Sequence, residues 1–205
     1  MSTADELTRG WSLHQSGKHA EAERIYRQVL ALEPNNANAW CYLGIVCYDQ
    51  ERWDESLAAY RRAIKLQPQF PIAYNNLGNV LRQMRRIGES LAAFDESLRQ
   101  NPGYLSPHKN RGTTLLWEGM IEQADASFRK ARELKPDDPE TRKNLGIIAL
   151  LQGRLEEGWP DYEWRLHTMQ MFDTLPPQAR WKGESLDGRT ILLVAEQGLG
   201  DTLQF

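Results

Sequence analysis

The chain has 205 residues, of which 40% are hydrophobic and 26% are charged, a composition that can bury a core and excludes a disordered tail. It carries 25 Lys and Arg against 28 Asp and Glu, a formal net charge of −3, which gives no electrostatic reason to expect nucleic acid as a partner. Its longest aliphatic run, Ile191 to Ala195, is far shorter than the roughly 20 residues that span a bilayer, so we expect no membrane contact.

The N-terminus and the two cysteines indicate a cytoplasmic protein. Residues Met1 to Gly10 lack the apolar core of a signal peptide. Cys41 and Cys47 fall six positions apart in one predicted helix, and no second Cys or His pair has the spacing of a zinc site. We therefore expect two reduced thiols, no metal site, no cofactor and a soluble protein in a reducing cytoplasm.

A period of 34 residues governs the chain from its N-terminus. Four classes of residue recur with this spacing: a proline, a glycine, an aromatic ring and a small residue. They are Pro34, Pro68, Pro102 and Pro136; Gly10, Gly44, Gly78, Gly112 and Gly146; Tyr26, Tyr60, Phe94, Phe128 and Tyr162; and Ala22, Ser56, Ser90, Ala124 and Gly158. Four independent classes that keep one period indicate an array of repeated units.

The second repeat, Ala37 to Phe70, shows what each class contributes. One face of its first helix carries residues at i, i+3, i+4 and i+7, namely Trp40, Leu43, Gly44 and Cys47. Glycine inside a helix costs about 1 kcal/mol relative to alanine, so Gly44 indicates that a second helix approaches its backbone closely. This second helix is predicted from about Trp53 to Leu66, with Ser56 at the nearest approach.

The second helix of this repeat leaves an apolar surface for its neighbour. Tyr60 and Ala63 continue the apolar face, and Tyr60 is predicted to fill the gap between neighbouring hairpins. Pro68 ends the helix, because the residue before a proline avoids the α region. The next hairpin covers the remaining surface, so contacts between nearest neighbours hold the array together.

The third repeat contains Ala73-Tyr74-Asn75-Asn76-Leu77-Gly78-Asn79, which is close to the first-helix consensus of the tetratricopeptide repeat (TPR) family. The resemblance covers roughly Thr3 to Met169 and implies an all-α, right-handed solenoid of helical hairpins. We expect repeats near residues 3–36, 37–70, 71–104 and 105–138, and an irregular fifth repeat at 139–169.

Both ends of the array depart from the pattern, as terminal repeats do. The first repeat has Glu6 where Trp40 and Tyr74 stand in the next two. The fifth repeat has Pro160 inside its predicted second helix, which predicts a kink or a restarted helix there.

The resemblance implies that the first helices line a concave surface. Their side chains are polar in the middle repeats and more apolar at both ends. Such a groove fits an extended peptide, whose backbone needs hydrogen bonds and whose side chains need pockets. We therefore expect a protein or extended peptide as partner, with groove contacts from Asn75, Asn79, Arg82, Lys109, Thr113, Lys143 and Ile147.

Three asparagines of the first helices, Asn76, Asn110 and Asn144, follow the same period. An asparagine side chain offers donors and acceptors and can hold a peptide backbone without reading its sequence. The arrangement is similar to the asparagine ladder of protein O-GlcNAc transferases, whose TPR groove holds substrate chains. Two alternatives stay open: duplication carried a harmless polar residue along, or the asparagines bond across neighbouring helices.

A different TPR site, the carboxylate clamp of chaperone adaptors, fits the residues poorly. That clamp grips a C-terminal carboxylate with lysine, arginine and asparagine side chains from three repeats. Asn79 and Asn110 match its pattern, but the three cationic positions do not, and Glu140 has the wrong charge. Binding of a chaperone tail is therefore the weaker hypothesis.

The period ends after Met169, and the tail has a different composition. Residues 170–189 contain Pro176, Pro177, Gly183 and Gly188, as a linker does. Residues 190–205 read as a buried strand, a glycine turn and the beginning of a helix, which is the opening of a Rossmann-like unit.

The tail also resembles segments that follow TPR arrays in bacterial proteins with a GT-B glycosyltransferase domain. Trp181 to Glu184 and Glu196 to Asp201 carry this resemblance, and related heptosyltransferase-type enzymes imply Asp201 as a candidate general base. Without the rest of its sheet, Asp201 is a solvated carboxylate that helps cap a helix start. We expect this chain to be the N-terminal part of a longer protein and to carry no catalytic residues itself.

Three functions are consistent with these predictions. The leading one is a binding module that holds a polypeptide in its concave groove, next to a downstream transferase. The second is a glycosyltransferase whose catalytic domain is mostly missing, and the third is a structural adaptor that uses its convex face. An unpaired strand at Ile191 to Ala195 must pack on the last repeat, be disordered, or pair with a second copy to form a homodimer.

Overall fold

The computed structural model describes residues 2–167, which form ten α-helices and one 3-10 helix. The helices pair into five hairpins. Their bounds are α1 Thr3–Gln15 and α2 His19–Leu32, α3 Ala37–Asp49 and α4 Trp53–Leu66, α5 Pro71–Gln83 and α6 Ile87–Gln100, α7 Leu105–Trp117 and α8 Ile121–Leu134, and α9 Pro139–Leu151 and α10 Leu155–Tyr162, with the 3-10 helix at Glu163–His167. No strand occurs within residues 2–167, so the prediction of an all-α solenoid is confirmed there.

The predictions for the C-terminal tail lie outside the described residues. They are the linker at residues 170–189, the strand, turn and helix at residues 190–205, the homodimer formed through that strand, and the role of Asp201. All of them stay predictions.

Contacts between neighbouring helices build the array. The two helices of each hairpin pack together, and the second helix of each hairpin packs on the first helix of the next. The first helices begin at Thr3, Ala37, Pro71, Leu105 and Pro139, each 34 residues after the last. Each hairpin therefore repeats the geometry of the one before it, as a nearest-neighbour solenoid requires.

A glycine and an aromatic ring meet inside each of the first four hairpins. A Cβ added to Gly44 would lie 2.7 Å from Tyr60 Cε1, and one added to Gly78 would lie 2.5 Å from Phe94 Cε1. Gly10 faces Tyr26 and Gly112 faces Phe128 in the same way. Only glycine leaves room for these rings, which are at most 1% exposed. The structure thereby explains why a helix interior repeatedly carries a residue that disfavours helices.

The small residue of the second helix also closes a hydrogen bond to the first. The Ser56 hydroxyl donates to the carbonyl oxygen of Gly44 at 2.7 Å, and Ser90 makes the same bond to Gly78 at 2.7 Å. Both serines are fully buried. Each hydroxyl therefore has a partner where an unpaired polar group would be costly.

The turn inside each hairpin has a left-handed residue at the same place. Gly17, Gly119 and Gly153 have φ near +75°, at 77°, 74° and 74°. Glu51 and Arg85 stand at the equivalent points with φ of 58° and 59°. The next residue donates its backbone N–H back to the first helix, as from Arg52 to Cys47 at 2.9 Å. This bond fixes the angle at which the second helix returns.

The fifth hairpin is shorter than the others. α10 spans 8 residues and contains Pro160, whereas α2, α4, α6 and α8 span 14 residues each. The α-helix ends two residues after the proline and continues as the 3-10 helix. Proline lacks an N–H for the α-helical ladder, which accounts for this change of helix type.

Candidate functional site

The odd-numbered helices form the inner face of the array. They contact one another in three steps, α1 with α3, α3 with α5, and α5 with α7, whereas no pair of even-numbered helices within residues 2–167 makes comparable contacts. The odd-numbered helices are therefore the more closely spaced set. We call their shared surface the inner face, and the residues predicted for the peptide groove belong to these helices.

The predicted groove residues differ in their exposure. Asn75 and Asn144 are buried, with 4% and 8% of their surface exposed. The other eight are half-buried: Asn76, Asn79, Arg82, Lys109, Asn110, Thr113, Lys143 and Ile147. The half-buried side chains are accessible to a ligand without rearrangement of the helices.

A chain of hydrogen bonds joins the polar residues of three repeats. The Asn110 amide donates to Asn75 Oδ1 at 2.9 Å, and the Asn75 amide donates to Asn76 Oδ1 at 3.1 Å. Asn76 is in turn hydrogen-bonded to Tyr60, whose pKa is raised well above its ordinary value by burial. Asparagine contacts across neighbouring helices, one of the two alternatives left open by the sequence, are therefore present at Asn75 and Asn110.

Lys109 links α7 to the start of α9. Its ammonium group lies 3.0 Å from Asp138 Oδ2 and 2.6 Å from Glu140 Oε2. Asp138 also caps α9, since it accepts hydrogen bonds from the backbone N–H of Thr141 at 2.9 Å and from its hydroxyl at 2.7 Å. Burial raises the pKa of Asp138, but the bonds from Thr141 and Lys109 outweigh it and lower that pKa overall. Lys109 is thus engaged within the array.

Two other cations of the inner face lack an acidic partner within residues 2–167. Arg82 and Lys143 make no ion pair with any residue of the range 2–167. The Arg82 guanidinium lies 5.4 Å from the centroid of the Trp117 ring, and its Nε atom is buried without a hydrogen-bond partner. Trp117 is 68% exposed. An exposed indole beside a cation with free donors is a combination typical of binding hot spots.

Exposed apolar side chains lie on both helices of the last hairpin, on the inner face in α9 and on the even-numbered helix α10. Leu151, the last residue of α9, is 65% exposed, and it stands one repeat after Trp117. Leu155 and Trp159 of α10 are also more than half exposed.

None of the helices between residues 2 and 167 has the length and apolarity that a membrane crossing requires.

A regular contact joins successive first helices, and we call it the inter-repeat ladder. The penultimate residue of one first helix meets the last residue of the next. His14 Nε2 lies 2.5 Å from Asp49 Oδ2, the Gln83 amide donates to Tyr48 Oη at 3.0 Å, and Arg82 stacks on Trp117. The three contacts therefore occupy equivalent positions in successive repeats, but their type differs: a histidine–carboxylate contact, a hydrogen bond and a cation–π contact.

The first step of the ladder contains a cluster that was not predicted from the sequence. One potential ligand atom from each of His14, His19 and Asp49 lies within 4.8 Å of the other two. His14 and His19 lie five residues apart, a spacing that zinc ligands use, so the expectation that no such pair occurs was wrong. The third member, Asp49, lies one repeat away. The signal is nevertheless present, since Asp49 follows His14 by 35 residues and His19 follows it by five.

Two family models match the N-terminal half of the chain. A model described as TPR repeat matches residues 10–50 and again residues 44–84. A second, described as Tetratricopeptide repeat, matches residues 72–99. Together they support TPR repeats in the first three hairpins. A search of curated protein sequences returned no match.

Several solved structures have the same fold. A thermophilic TPR protein from Thermus thermophilus is 22% identical, with a TM-score of 0.68 over 81% of this chain and 91% of that one. PilF from Pseudomonas aeruginosa is 19% identical, with a TM-score of 0.76 over 82% and 76%. YrrB, described as a TPR protein with an unusual peptide-binding site, is 18% identical, with a TM-score of 0.63 over 83% and 89%. At these identities the likeness shows the fold.

Proposed function

We propose that this chain, whose residues 2–167 form a solenoid of TPR-type hairpins, is a scaffold whose inner face binds an extended polypeptide. TPR scaffolds mediate interactions between proteins. The similarity to YrrB supports the proposal, because that protein carries a peptide-binding site on the same fold. A cytoplasmic location and a non-catalytic role for this chain are parts of the same proposal.

The contact between half-buried Arg82 and the exposed Trp117 is the observation that carries the proposal. Arg82 and Lys143 offer positive charge without acidic partners within the described range, and Trp117 and Leu151 offer exposed apolar surface. A ligand that satisfies both has an acidic side chain next to an aromatic or aliphatic one. An extended segment fits such a row, because its alternate side chains reach the same face.

The asparagines are the proposed contacts for the peptide backbone. Asn76 and Asn110 are half-buried and each uses part of its hydrogen-bonding capacity within the array. An amide side chain has two donor hydrogens and an acceptor oxygen, so each retains groups for a ligand. Asn79 is also half-buried, but its amide oxygen is buried without a hydrogen-bond partner among the described residues. Asn144 is buried and would contribute less.

The test is selection of a phage-displayed random peptide library on the 205-residue chain, followed by affinity measurements with the selected peptides. We expect enrichment of peptides that combine acidic and apolar residues. Trp117→Ala and Arg82→Ala should each weaken binding at least about tenfold, the loss that corresponds to 1.4 kcal/mol. Circular dichroism should show unchanged helicity in both variants.

Matched controls lie on the even-numbered helices. Trp159 of α10 is 53% exposed, and Arg24 of α2 is exposed. Trp159→Ala and Arg24→Ala should leave peptide affinity unchanged. If Trp159→Ala weakens binding and Trp117→Ala does not, the partner uses the outer helices, as the adaptor hypothesis requires. An absence of enriched peptides would contradict groove binding.

A second proposal concerns the tail. We propose that residues 190–205 begin a GT-B glycosyltransferase domain, so that the TPR array would present a polypeptide to a transferase. The sequence of residues 181–201 is its sole support. A radiolabelled nucleotide-sugar assay on the 205-residue chain should show no transfer, because one strand, turn and helix start cannot form a nucleotide-binding fold. Transfer by this chain would overturn the non-catalytic role.

A further inference from the structure

The cluster at the N-terminal step of the inter-repeat ladder has the composition of a metal site. His14 is the penultimate residue of α1, His19 begins α2 and Asp49 ends α3. The two imidazole rings lie 5.1 Å apart in an edge-to-face arrangement, and His14 Nε2 is 2.5 Å from Asp49 Oδ2. Imidazole nitrogen and carboxylate oxygen are the donors that Zn²⁺ and related divalent transition metals prefer.

Each of the two rings has a nitrogen with no hydrogen-bond partner within residues 2–167. The His14 side chain is 9% exposed, whereas Asp49 is 36% exposed. The Nδ1 atoms of His14 and His19 are both buried without a hydrogen-bond partner. Buried polar atoms are nearly always paired. The unpaired Nδ1 of His19 is therefore open to a ligand, whereas His14 faces Asp49 through Nε2 and would hold an ion with that atom.

The equivalent positions of the other repeats show that these donors are not a structural requirement. His14 corresponds to Tyr48, Arg82, Leu116 and Leu150, and Asp49 corresponds to Gln83, Trp117 and Leu151. His19 corresponds to Trp53, Ile87, Ile121 and Leu155, which are all apolar. In the second repeat Tyr48 and Trp53 make the same edge-to-face contact at 5.0 Å. These three positions thus pack well without metal-ligating side chains. The first step of the ladder is the one that has such a side chain at all three of them.

We propose that His14, His19 and Asp49 bind a divalent transition-metal ion, with Zn²⁺ as the best match. Tetrahedral zinc with bonds of about 2.0–2.2 Å separates its ligand atoms by roughly 3.4 Å. His14 Nε2 and Asp49 Oδ2 must therefore move apart by about 1 Å, which the half-exposed Asp49 allows. Three protein ligands leave the fourth position for water or for a side chain of a partner. The metal would join α1, α2 and α3 at one point.

The experiment is a titration of the chelator-treated, tag-free chain with Zn²⁺ by calorimetry and with Co²⁺ by visible absorption. We expect one Zn²⁺ to bind per chain and to raise the melting temperature. Bound Co²⁺ should show the absorption intensity of a four-coordinate ion, and this absorption should disappear when Zn²⁺ displaces the Co²⁺. Loss of any one ligand should weaken Zn²⁺ binding at least about tenfold. Mutation of a residue that only hydrogen-bonds to a metal ligand already lowers metal affinity by about this factor.

The variants take their residues from the second step of the inter-repeat ladder, so that packing is kept. His14→Tyr, His19→Trp and Asp49→Gln reproduce the set Tyr48, Trp53 and Gln83. The control is His108→Ala, which removes an α7 histidine that contacts the Pro102 carbonyl oxygen at 3.0 Å and should leave Zn²⁺ affinity unchanged. Zinc binding by the triple variant as tight as by the wild type would overturn the proposal and leave the cluster a hydrogen bond between repeats.

Discussion

Glycines of two kinds occur in the helices, and their neighbours distinguish them. Gly78 of α5 lies under the ring of Phe94, and a Cβ there would be 2.5 Å from the nearest ring carbon. A Cβ added to Gly88 of α6 would meet no atom within 4 Å. The first glycine is required by packing, whereas the second is only a weak helix former. The 34-residue period, which includes Gly78 and not Gly88, separates the two from sequence alone.

Alanine at these two positions should therefore have opposite effects on stability. We expect Gly78→Ala to lower the free energy of unfolding by about 1–3 kcal/mol, because the buried Phe94 ring cannot move away without strain. Gly88→Ala should raise it by up to about 0.5 kcal/mol, since alanine restricts the unfolded chain and favours the helix. Urea unfolding followed by circular dichroism measures both. Equal effects would contradict the packing role assigned to Gly78.

The hairpin turn has the same left-handed backbone conformation in every repeat, although the residue that adopts this conformation differs. Three of the five left-handed positions are glycine, and two are Glu51 and Arg85. A non-glycine residue in this region costs roughly 1–2 kcal/mol. Arg85 also pairs with Glu118 at 3.2 Å, while its side chain is 73% exposed, so that pair offsets little of the cost. Tertiary packing of the two helices keeps the turn in this conformation.

Glycine at the second turn should stabilise the array. We expect Glu51→Gly to raise the free energy of unfolding by about 0.5–1 kcal/mol, because relief of the left-handed strain exceeds the added backbone entropy of glycine. Gly153→Ala should lower it by about 1 kcal/mol, and this cost belongs to the backbone because no atom lies within 4 Å of the added Cβ. Thermal and urea unfolding test the pair, and a loss of stability in Glu51→Gly would refute the strain argument.

The sequence predicts the helices of the repeat array in more detail than it predicts the contacts on their binding surface. The start of every first helix follows from the recurrence of glycine, aromatic ring and proline, because these residues act within one hairpin or between neighbours. The contacts of Asn110 with Asn75, of Lys109 with Glu140, and of His14 with Asp49 cross repeats. Their partners depend on the relative rotation of neighbouring hairpins, which spacing along the chain does not determine.

Stability should vary along the array. α1 and α10 each bury a single residue, a glycine, whereas α4 buries five residues, including Leu57 and Tyr60. Helices that bury few residues open more often than helices that bury many. Hydrogen exchange should therefore show amides of α1 and α10 exchanging at least about tenfold faster than those of α4, a difference of 1.4 kcal/mol in opening free energy. Uniform exchange would indicate that the five hairpins open as one unit.

Because the hairpin turns are equally spaced, a segment of one repeat length could be removed from the array without changing how the remaining helices pack. Glu51 and Arg85 occupy the same backbone conformation 34 residues apart. A chain that lost residues 51–84 would lose α4 and α5 and would join α3 to α6 in the place of α4, and every later helix would keep the face that it turns toward its neighbour. Removal of any other number of residues would rotate the later helices and bring their apolar faces to solvent. The array therefore has a unit of length, and it can be shortened or extended in whole units.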